Sequence, residues 1–171
     1  MVDGSTVVVL VGMMGSGKST VGRLLAERRG VAFCDTDEEV SRRQGSTIAE
    51  IFARNGEQVF RDLESEALGA CIGRGGVIAT GGGVVLRSDN RALLGDARVA
   101  WLDASIEELV ARLEDDTGRP LLGADRHATL VELDRQRRPL YAEVASVRIE
   151  ATGRTPSQIC DDLVAWLERG Q

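Results

Sequence analysis

The chain has 171 residues, of which 43% are hydrophobic and 28% charged, and a formal net charge of −6. This length suits one domain that buries a real core, and we expect a single domain over residues 1–171. The acidic balance without a basic stripe argues against a nucleic-acid partner. No apolar run approaches the roughly 20 residues that span a bilayer, and the N-terminus has no signal-peptide pattern, so we expect a cytoplasmic protein without a membrane partner.

The three cysteines, Cys34, Cys71 and Cys160, are widely spaced and do not form a C-x-x-C pair. With one histidine in the whole chain, they do not indicate a zinc site. We interpret them as small buried residues of a reduced cytosolic protein.

The first predicted strand, Thr6-Val7-Val8-Val9-Leu10-Val11, leads into residues 12–19, which match the phosphate-binding pattern G-x-x-x-x-G-K-[ST]. Its glycines let backbone N–H groups turn towards phosphate oxygens, and the helix that follows directs its positive end at the same anion. A chance glycine-rich turn is the alternative. Lys18 is the only lysine of the chain, beside twenty arginines. We expect nucleotide binding by Gly15, Ser16, Gly17, Lys18, Ser19 and Thr20.

The next elements follow from apolar spacing and end signals. A helix over 18–29 ends at Gly30, and a buried strand over 31–34 leads into Asp35-Thr36-Asp37. A capping box at 47–50 opens a short helix that stops near Gly56, and a long helix follows over 57–72 with Arg61 and Glu64 off its apolar face. A third strand, 77–80, runs into three glycines.

In the second half, Ser88 is the predicted cap of a small helix before a fourth strand at 98–102. A capping box at 105–108 opens another helix, and the polar stretch 114–120 breaks the pattern. Helical spacing resumes over 130–138, a fifth strand covers 147–151, and Thr155 caps the last helix. Short apolar strands separated by helices predict a three-layer α/β/α sandwich with a five-stranded parallel sheet.

The sequence excludes one class of phosphate-loop protein and favours another. A guanine-specific switch would need N-K-x-D, which a single lysine already used at position 18 does not allow. A small-molecule kinase fits the size and needs an acceptor site, charge around the transferring group and a cover.

Five further patterns resemble those of shikimate kinases in order and spacing: Asp35-Thr36-Asp37, Phe60-Arg61, Thr80-Gly81-Gly82-Gly83, Arg119-Pro120-Leu121-Leu122 and Arg137-Arg138-Pro139-Leu140-Tyr141. The resemblance covers nearly the whole chain and implies a phosphate-loop kinase fold with a lid at about 112–125 and an acceptor region at about 35–61. It implies transfer of the γ-phosphoryl group of ATP to the 3-hydroxyl of shikimate, with Mg²⁺ as cofactor and a monomeric enzyme.

The resemblance also implies residue roles. Asp37 would hydrogen-bond the ring hydroxyls of shikimate and accept the proton of the 3-hydroxyl. Arg61 and Arg137 would bind the carboxylate, and Gly82 would let the backbone approach the ring.

On the nucleotide side, Ser19 would bind Mg²⁺ directly and Asp35 through water. Arg119 would close over the phosphates with Lys18 and stabilise the transition state, and Arg154, with Arg112 and Pro156, would border adenine.

Plainer interpretations exist for each residue. Asp35 and Asp37 are also typical of a helix cap, Arg61 of an i, i+4 pair with Glu57, and Arg137 of charge near a helix C-terminus. His127 is interpreted as a surface residue. Alternative activities are phosphorylation of gluconate, aminoshikimate or a cyclitol, and a non-catalytic nucleotide-binding regulator.

Overall fold

A computed structural model describes residues 7–114 and 125–170 of the chain. Within them, each strand is followed by one or two helices. They are β1 (Val8–Val11), α1 (Lys18–Arg29), β2 (Phe33–Asp35), α2 (Thr36–Gln44), α3 (Ile48–Arg74), β3 (Val77–Ala79), α4 (Ser88–Leu94), β4 (Arg98–Asp103), α5 (Ile106–Arg112), α6 (Arg126–Val144), β5 (Val147–Glu150) and α7 (Pro156–Arg169), with a 3-10 turn at Val84–Leu86 between β3 and α4.

The five strands form one sheet in the order β2-β3-β1-β4-β5, and all neighbours run parallel. The central strand β1 pairs Val8 with Val77 on one side and with Arg98 on the other. All strand C-termini therefore meet at one edge, where open α/β sheets place their ligands. The predicted five-stranded parallel α/β fold is confirmed.

Both faces of the central sheet are covered. Every residue of β1 and β3 is buried, and successive strand residues point to opposite faces, so helices must pack on each side. This burial pattern belongs to the three-layer arrangement that the alternation of strands and helices predicted.

Local signals place most of the helix ends where the sequence indicates them. Gly30 ends α1 in the left-handed conformation with φ 63°, and the Thr155 capping box opens α7 with Pro156 as its first residue. The helix α3 is continuous except at Gly56, where φ 80° and ψ 173° make a kink between its two segments. The predicted boundary near Gly56 is therefore confirmed.

Three local predictions are wrong or incomplete. The helix α2, which begins at Thr36, is absent from the predicted elements, and only the alternative interpretation of Asp35 as a helix cap anticipates it. The helix α6 extends well beyond 130–138 in both directions. Ser88 is the first residue of α4 and does not cap it, since Arg87 holds that position without a side-chain hydrogen bond.

The interpretation of the cysteines as three separate reduced residues is wrong for two of them. Cys34 at β2 and Cys71 on α3 form a disulfide with their Cα atoms 6.0 Å apart, within the usual range. They are 37 positions apart in sequence, and the packing of α3 beside β2 brings them together. Cys160 is a free, buried cysteine.

Across residues 7–114 and 125–170, none of the helices combines the length and the apolar character that crossing a bilayer requires.

Candidate active site

The phosphate-binding loop joins the end of β1 to the start of α1, at the ligand edge of the sheet. Three of its glycines have positive φ: Gly12 at 146°, Gly15 at 81° and Gly17 at 94°. A side chain at Gly12 would also clash with the carbonyl oxygen of Leu102 on the neighbouring strand. The loop therefore needs glycine for its conformation and for its packing, which excludes an incidental turn.

Lys18 lies inside this loop. It is 7% exposed, and its Nζ donates to the carbonyl oxygens of Gly12 at 2.9 Å and Met13 at 2.8 Å and to Ser16 Oγ at 3.4 Å. The ammonium is thus held by carbonyl and hydroxyl groups of the loop itself.

Ser19 and Asp35 come together across the cleft, where the Ser19 hydroxyl donates to Oδ2 of Asp35. The other carboxylate oxygen of Asp35 caps α2 by accepting from the backbone N–H groups of Asp37, at 2.9 Å, and Glu38, at 3.3 Å. The cap interpretation of Asp35 is correct, and it leaves Oδ2 directed at Ser19. A hydroxyl and a carboxylate are oxygen donors that suit Mg²⁺, which usually takes one or two protein ligands together with phosphate oxygens.

Within the described residues, no group of three or more His, Cys, Asp or Glu side chains is placed to hold a metal by itself.

The three glycines after β3 are the meeting point of the predicted acceptor residues. A Cβ added to Gly81 would lie 2.9 Å from Asp37 Oδ1 and closer still to Glu64 Oε1. One added to Gly83 would lie 2.6 Å from Cζ of Arg61. The glycines here are required because charged side chains from α2 and α3 approach the backbone on this side.

Gly82 connects the two halves of the cleft. A Cβ at this position would lie 3.2 Å from Nη1 of Arg137 and 3.2 Å from the backbone nitrogen of Met14 in the phosphate-binding loop. Arg137 on α6 therefore lies beside the loop that binds phosphate, although 119 positions separate it from Lys18 in the sequence.

Arg61 and Glu64 are buried, although both lie off the apolar face of α3. Arg61 is 7% exposed and Glu64 is fully buried, whereas the apolar residue Val59 on the same helix is 39% exposed. Nη1 of Arg61 donates to Glu64 at 2.8 Å and Nη2 to Glu57 at 3.2 Å. The predicted i, i+4 pair with Glu57 exists, but the pair with Glu64 lies inside the protein.

Burial also changes the acid–base properties of this pair. Desolvation raises the pKa of the Glu64 carboxyl, and the charge and hydrogen bond of Arg61 oppose that rise only in part. Desolvation lowers the pKa of Arg61, but the charges and hydrogen bonds of Glu64 and Glu57 outweigh it, so this pKa is raised. Arg61 therefore remains a cation in a site that water hardly reaches.

Arg137 is 2% exposed, and its Nε and Nη1 atoms have no hydrogen-bond partner among the described residues. An unsatisfied buried guanidinium is costly, and a carboxylate matches its two parallel N–H groups. The interpretation as ordinary charge near a helix C-terminus does not account for this burial, because such residues normally remain in water.

One cleft of about 490 Å³ contains most of the predicted site residues. Its lining includes Gly15, Ser16, Gly17, Lys18, Ser19, Thr20, Asp35, Asp37, Gly82, Arg112, Arg154 and Pro156. Arg61 and Arg137 reach the site from behind the glycines. The predicted role of Arg119 falls outside the described residues, as does most of the expected lid.

The far end of the cleft carries two arginines that are already engaged. Nη1 of Arg112 donates to the carbonyl of Gly15 at 3.0 Å, so it fastens α5 to the phosphate-binding loop. Arg154 bonds Asp162 at 2.6 Å and the carbonyl oxygen of Glu150 at 3.0 Å. Arg154 lines the cleft, and its guanidinium is held by α7 and by the last residue of β5.

Sequence reasoning did not identify three residues of the site as functional. Glu64 pairs with Arg61, Thr36 accepts a hydrogen bond from the Gly81 N–H at 3.1 Å, and the Tyr141 hydroxyl donates to the Gly82 carbonyl oxygen. Their spacing in the sequence could have indicated two of them, because Glu64 is one turn after Arg61 and Tyr141 is one turn after Arg137. Both therefore lie on the face of the helix that carries a predicted site residue.

Comparisons with known proteins identify relatives along most of the chain. A family model described as "Shikimate kinase" matches residues 14–168. A shikimate kinase of Gloeobacter violaceus is 54% identical over 151 residues, which cover 86% of this chain and 85% of that protein. A solved structure of shikimate kinase from Acinetobacter baumannii in complex with shikimate has a TM-score of 0.94 at 36% identity, and the match covers 98% of this chain and 96% of that one.

A gluconokinase from Sinorhizobium meliloti is a more distant structural neighbour. It has a TM-score of 0.60 at 23% identity, covering 97% of this chain and 93% of that one. At this identity the likeness shows a shared fold and nothing about the acceptor.

Proposed function

This chain belongs to the shikimate kinase family, and we propose that it transfers the γ-phosphoryl group of ATP to the 3-hydroxyl group of shikimate, giving shikimate 3-phosphate and ADP. The single observation that carries this proposal is the position of Gly82, which lies against both the phosphate-binding loop and the buried guanidinium of Arg137. A phosphate donor and an acidic acceptor bound at these two places would lie side by side.

On the donor side, the loop residues Gly15, Ser16, Gly17, Lys18, Ser19 and Thr20 hold the nucleotide phosphates, and Arg154 borders the base. Lys18 exchanges its bonds to backbone carbonyls for phosphate oxygens and stabilises charge in the transition state. Phosphoryl transfer has a loose transition state, so positioning and charge neutralisation supply most of the catalysis. Arg119, from the lid, adds a second positive charge.

The residues that would hold Mg²⁺ are Ser19, directly, and Asp35, through water. Mg²⁺ bound there would supply positive charge that neutralises part of the charge of the phosphates. The support for this assignment is the oxygen-donor pair formed by the Ser19 hydroxyl and the Asp35 carboxylate at the mouth of the loop.

On the acceptor side, Arg61 and Arg137 bind the carboxylate of shikimate. Both are buried cations, and Arg61 is oriented by two acidic partners. Asp37 hydrogen-bonds the ring hydroxyls and receives the proton of the attacking one, while Gly82 lets the backbone approach the ring. Because the barrier is set by charge on the phosphoryl group, Asp37 needs correct placement more than a strongly raised pKa.

We also propose that the chain acts as one kinase domain over residues 1–171, as a monomer in the cytoplasm. The support for a single domain is the continuous apolar core that includes β1, β3, β4 and α7. Sedimentation at micromolar concentration tests the oligomeric state.

A coupled assay that measures the rate of ADP formation tests the activity with shikimate, quinate, gluconate and a cyclitol as acceptors. We expect shikimate to be preferred in kcat/KM by at least about 100-fold, since a buried site that pairs polar groups strongly rejects analogues that leave them unpaired. Activity confined to the cyclitol, which has no carboxylate, would overturn the assignment. A preference for gluconate would replace shikimate with the nearest alternative acceptor.

A further inference from the structure

Tyr141 is a buried residue of α6 that none of the proposed catalytic or binding roles uses. Its side chain is fully buried, and its hydroxyl donates to the carbonyl oxygen of Gly82 and lies 3.7 Å from the sulfur of Met13 in the phosphate-binding loop. A phenylalanine would fill the same volume without burying a hydroxyl. Since a buried hydroxyl is costly unless it is bonded, the useful property of this side chain is the bond to Gly82.

The same helix face carries Arg137, one turn before Tyr141. Side chains four positions apart on a helix are neighbours, and Nη1 of Arg137 lies next to the space beside Gly82. The carbonyl oxygen of Gly82 is therefore bonded by Tyr141, and Nη1 of Arg137 lies 3.2 Å from the place that a Cβ of Gly82 would occupy. The distance between the glycines and the buried guanidinium depends on this bond.

The helix that carries both residues is fixed to the sheet. Arg138 makes two hydrogen bonds of 2.9 Å to the Asp103 carboxylate at the end of β4, and the ring centroids of Tyr141 and Trp101 are 5.9 Å apart. A bidentate pair and a ring contact leave α6 little freedom to rotate. The loop after β3 is consequently the part that moves if the Tyr141–Gly82 bond is lost.

The hydroxyl is a donor throughout the working range of pH. Burial raises the pKa of Tyr141 well above its ordinary value, and the neighbouring charge of Arg137 opposes that rise only in part. Tyr141 is thus a permanent hydrogen-bond donor and not an acid or base for the reaction.

We propose that Tyr141 is a positioning residue for the acceptor: its hydroxyl holds Gly82 at the distance from Arg137 at which the carboxylate and ring of the substrate fit between them. The proposal rests on the proposed function, because it concerns the acceptor half of that site. It assigns to Tyr141 an effect on acceptor affinity without contact to either substrate.

Tyr141→Phe tests this by removing the hydroxyl alone. We expect KM for shikimate to rise about 5- to 10-fold, the value of one buried hydrogen bond, while KM for ATP changes less than about 2-fold. Leu163→Val, a small core change on α7, is the control for general destabilisation, and its melting temperature is measured beside that of Tyr141→Phe. The control should leave both KM values unchanged.

A double-mutant cycle distinguishes positioning of the acceptor site from a merely structural role of Tyr141. In an Arg137→Ala background, Tyr141→Phe should raise KM for shikimate less than about 2-fold, because the guanidinium relative to which it positions Gly82 is gone. Additive effects in the cycle, an unchanged KM for shikimate, or equal rises in both KM values would overturn the positioning role while the wild type still phosphorylates shikimate. A wild type that does not phosphorylate shikimate would instead overturn the proposed function, and with it this inference.

Discussion

Arg61 donates a hydrogen bond of 2.8 Å to Glu64 one turn further along α3, and both side chains are buried. The pair lies directly behind the glycines after β3, so its geometry depends on the absence of a side chain there. A buried ion pair is costly to break, because the remaining charge keeps its desolvation penalty. The first prediction concerns this pair.

Gly83→Ala should disturb the acceptor site because its Cβ would lie 2.6 Å from Cζ of Arg61. Arg61 would have to move away from Glu64, and we expect a loss of about 2–4 kcal/mol in the free energy of unfolding and at least a tenfold rise in KM for shikimate. Chemical denaturation and steady-state kinetics measure the two effects. Gly69→Ala, the same change on α3 with open space around it, is the control and should be neutral or stabilising.

Lys18→Met should lower kcat about 100- to 1000-fold, because it removes a positive charge aimed at the phosphates in the transition state. The side chain is largely buried and Met retains its length, so we expect the fold to remain. Circular dichroism and the melting temperature check the fold, and single-turnover kinetics check the chemistry. Retained activity in a folded variant would contradict the role of the loop.

Arg137→Ala should raise KM for shikimate by at least about 100-fold and KM for ATP less than about threefold, since the truncated group would bind only the acceptor carboxylate. Arg135→Ala is the matched control two positions earlier on α6, where the arginine pairs with Glu132 at the surface. Initial rates with each substrate varied in turn give the values. Equal changes in both KM values would contradict the carboxylate role.

The disulfide between Cys34 and Cys71 predicts a thiol count. Denatured protein that has not been reduced should react with one equivalent of thiol reagent, at Cys160, and reduced protein with three. Closing a loop of 37 residues stabilises by about 4 kcal/mol in the chain-entropy account, so reduction should lower the free energy of unfolding by up to that amount. Three reactive thiols before reduction would contradict the bond.

The salt bridges of Glu39 predict a pH dependence of stability. Glu39 is 5% exposed and bonds Arg74 on α3 as well as Arg42 and Arg43 on its own helix, which lowers its pKa from 4.5 to about 2. A carboxyl with a lowered pKa in the folded state stabilises above its unfolded pKa, and that stabilisation is lost as the pH falls from about 4.5 towards 2.

Glu39→Gln should therefore cost about 1.5–3 kcal/mol at pH 7, and the difference from the wild type should vanish near pH 2. Urea denaturation at several pH values measures it. Glu38→Gln is the control, because Glu38 pairs with Arg23 at the surface and should contribute little. A difference that is independent of pH would contradict the electrostatic origin.

The sequence alone determined those features that depend on local pattern. Residues 12–19 identify a phosphate-binding loop because turn geometry, glycine positions and the following helix are all local. The positive φ of Gly30, the Thr155 capping box and the break at Gly56 follow from adjacent residues in the same way. The parallel sheet follows from short apolar strands separated by helices.

Only the tertiary structure decided which polar residues are buried. Arg61 and Glu64 lie off the apolar stripe of α3 and would be solvated on an isolated helix, but the glycine loop after β3 covers them. The Cys34–Cys71 bond and the Tyr141–Gly82 bond also join segments far apart in sequence. A hydrogen bond or a burial across such a distance has no periodic signature, because it depends on how separate elements pack.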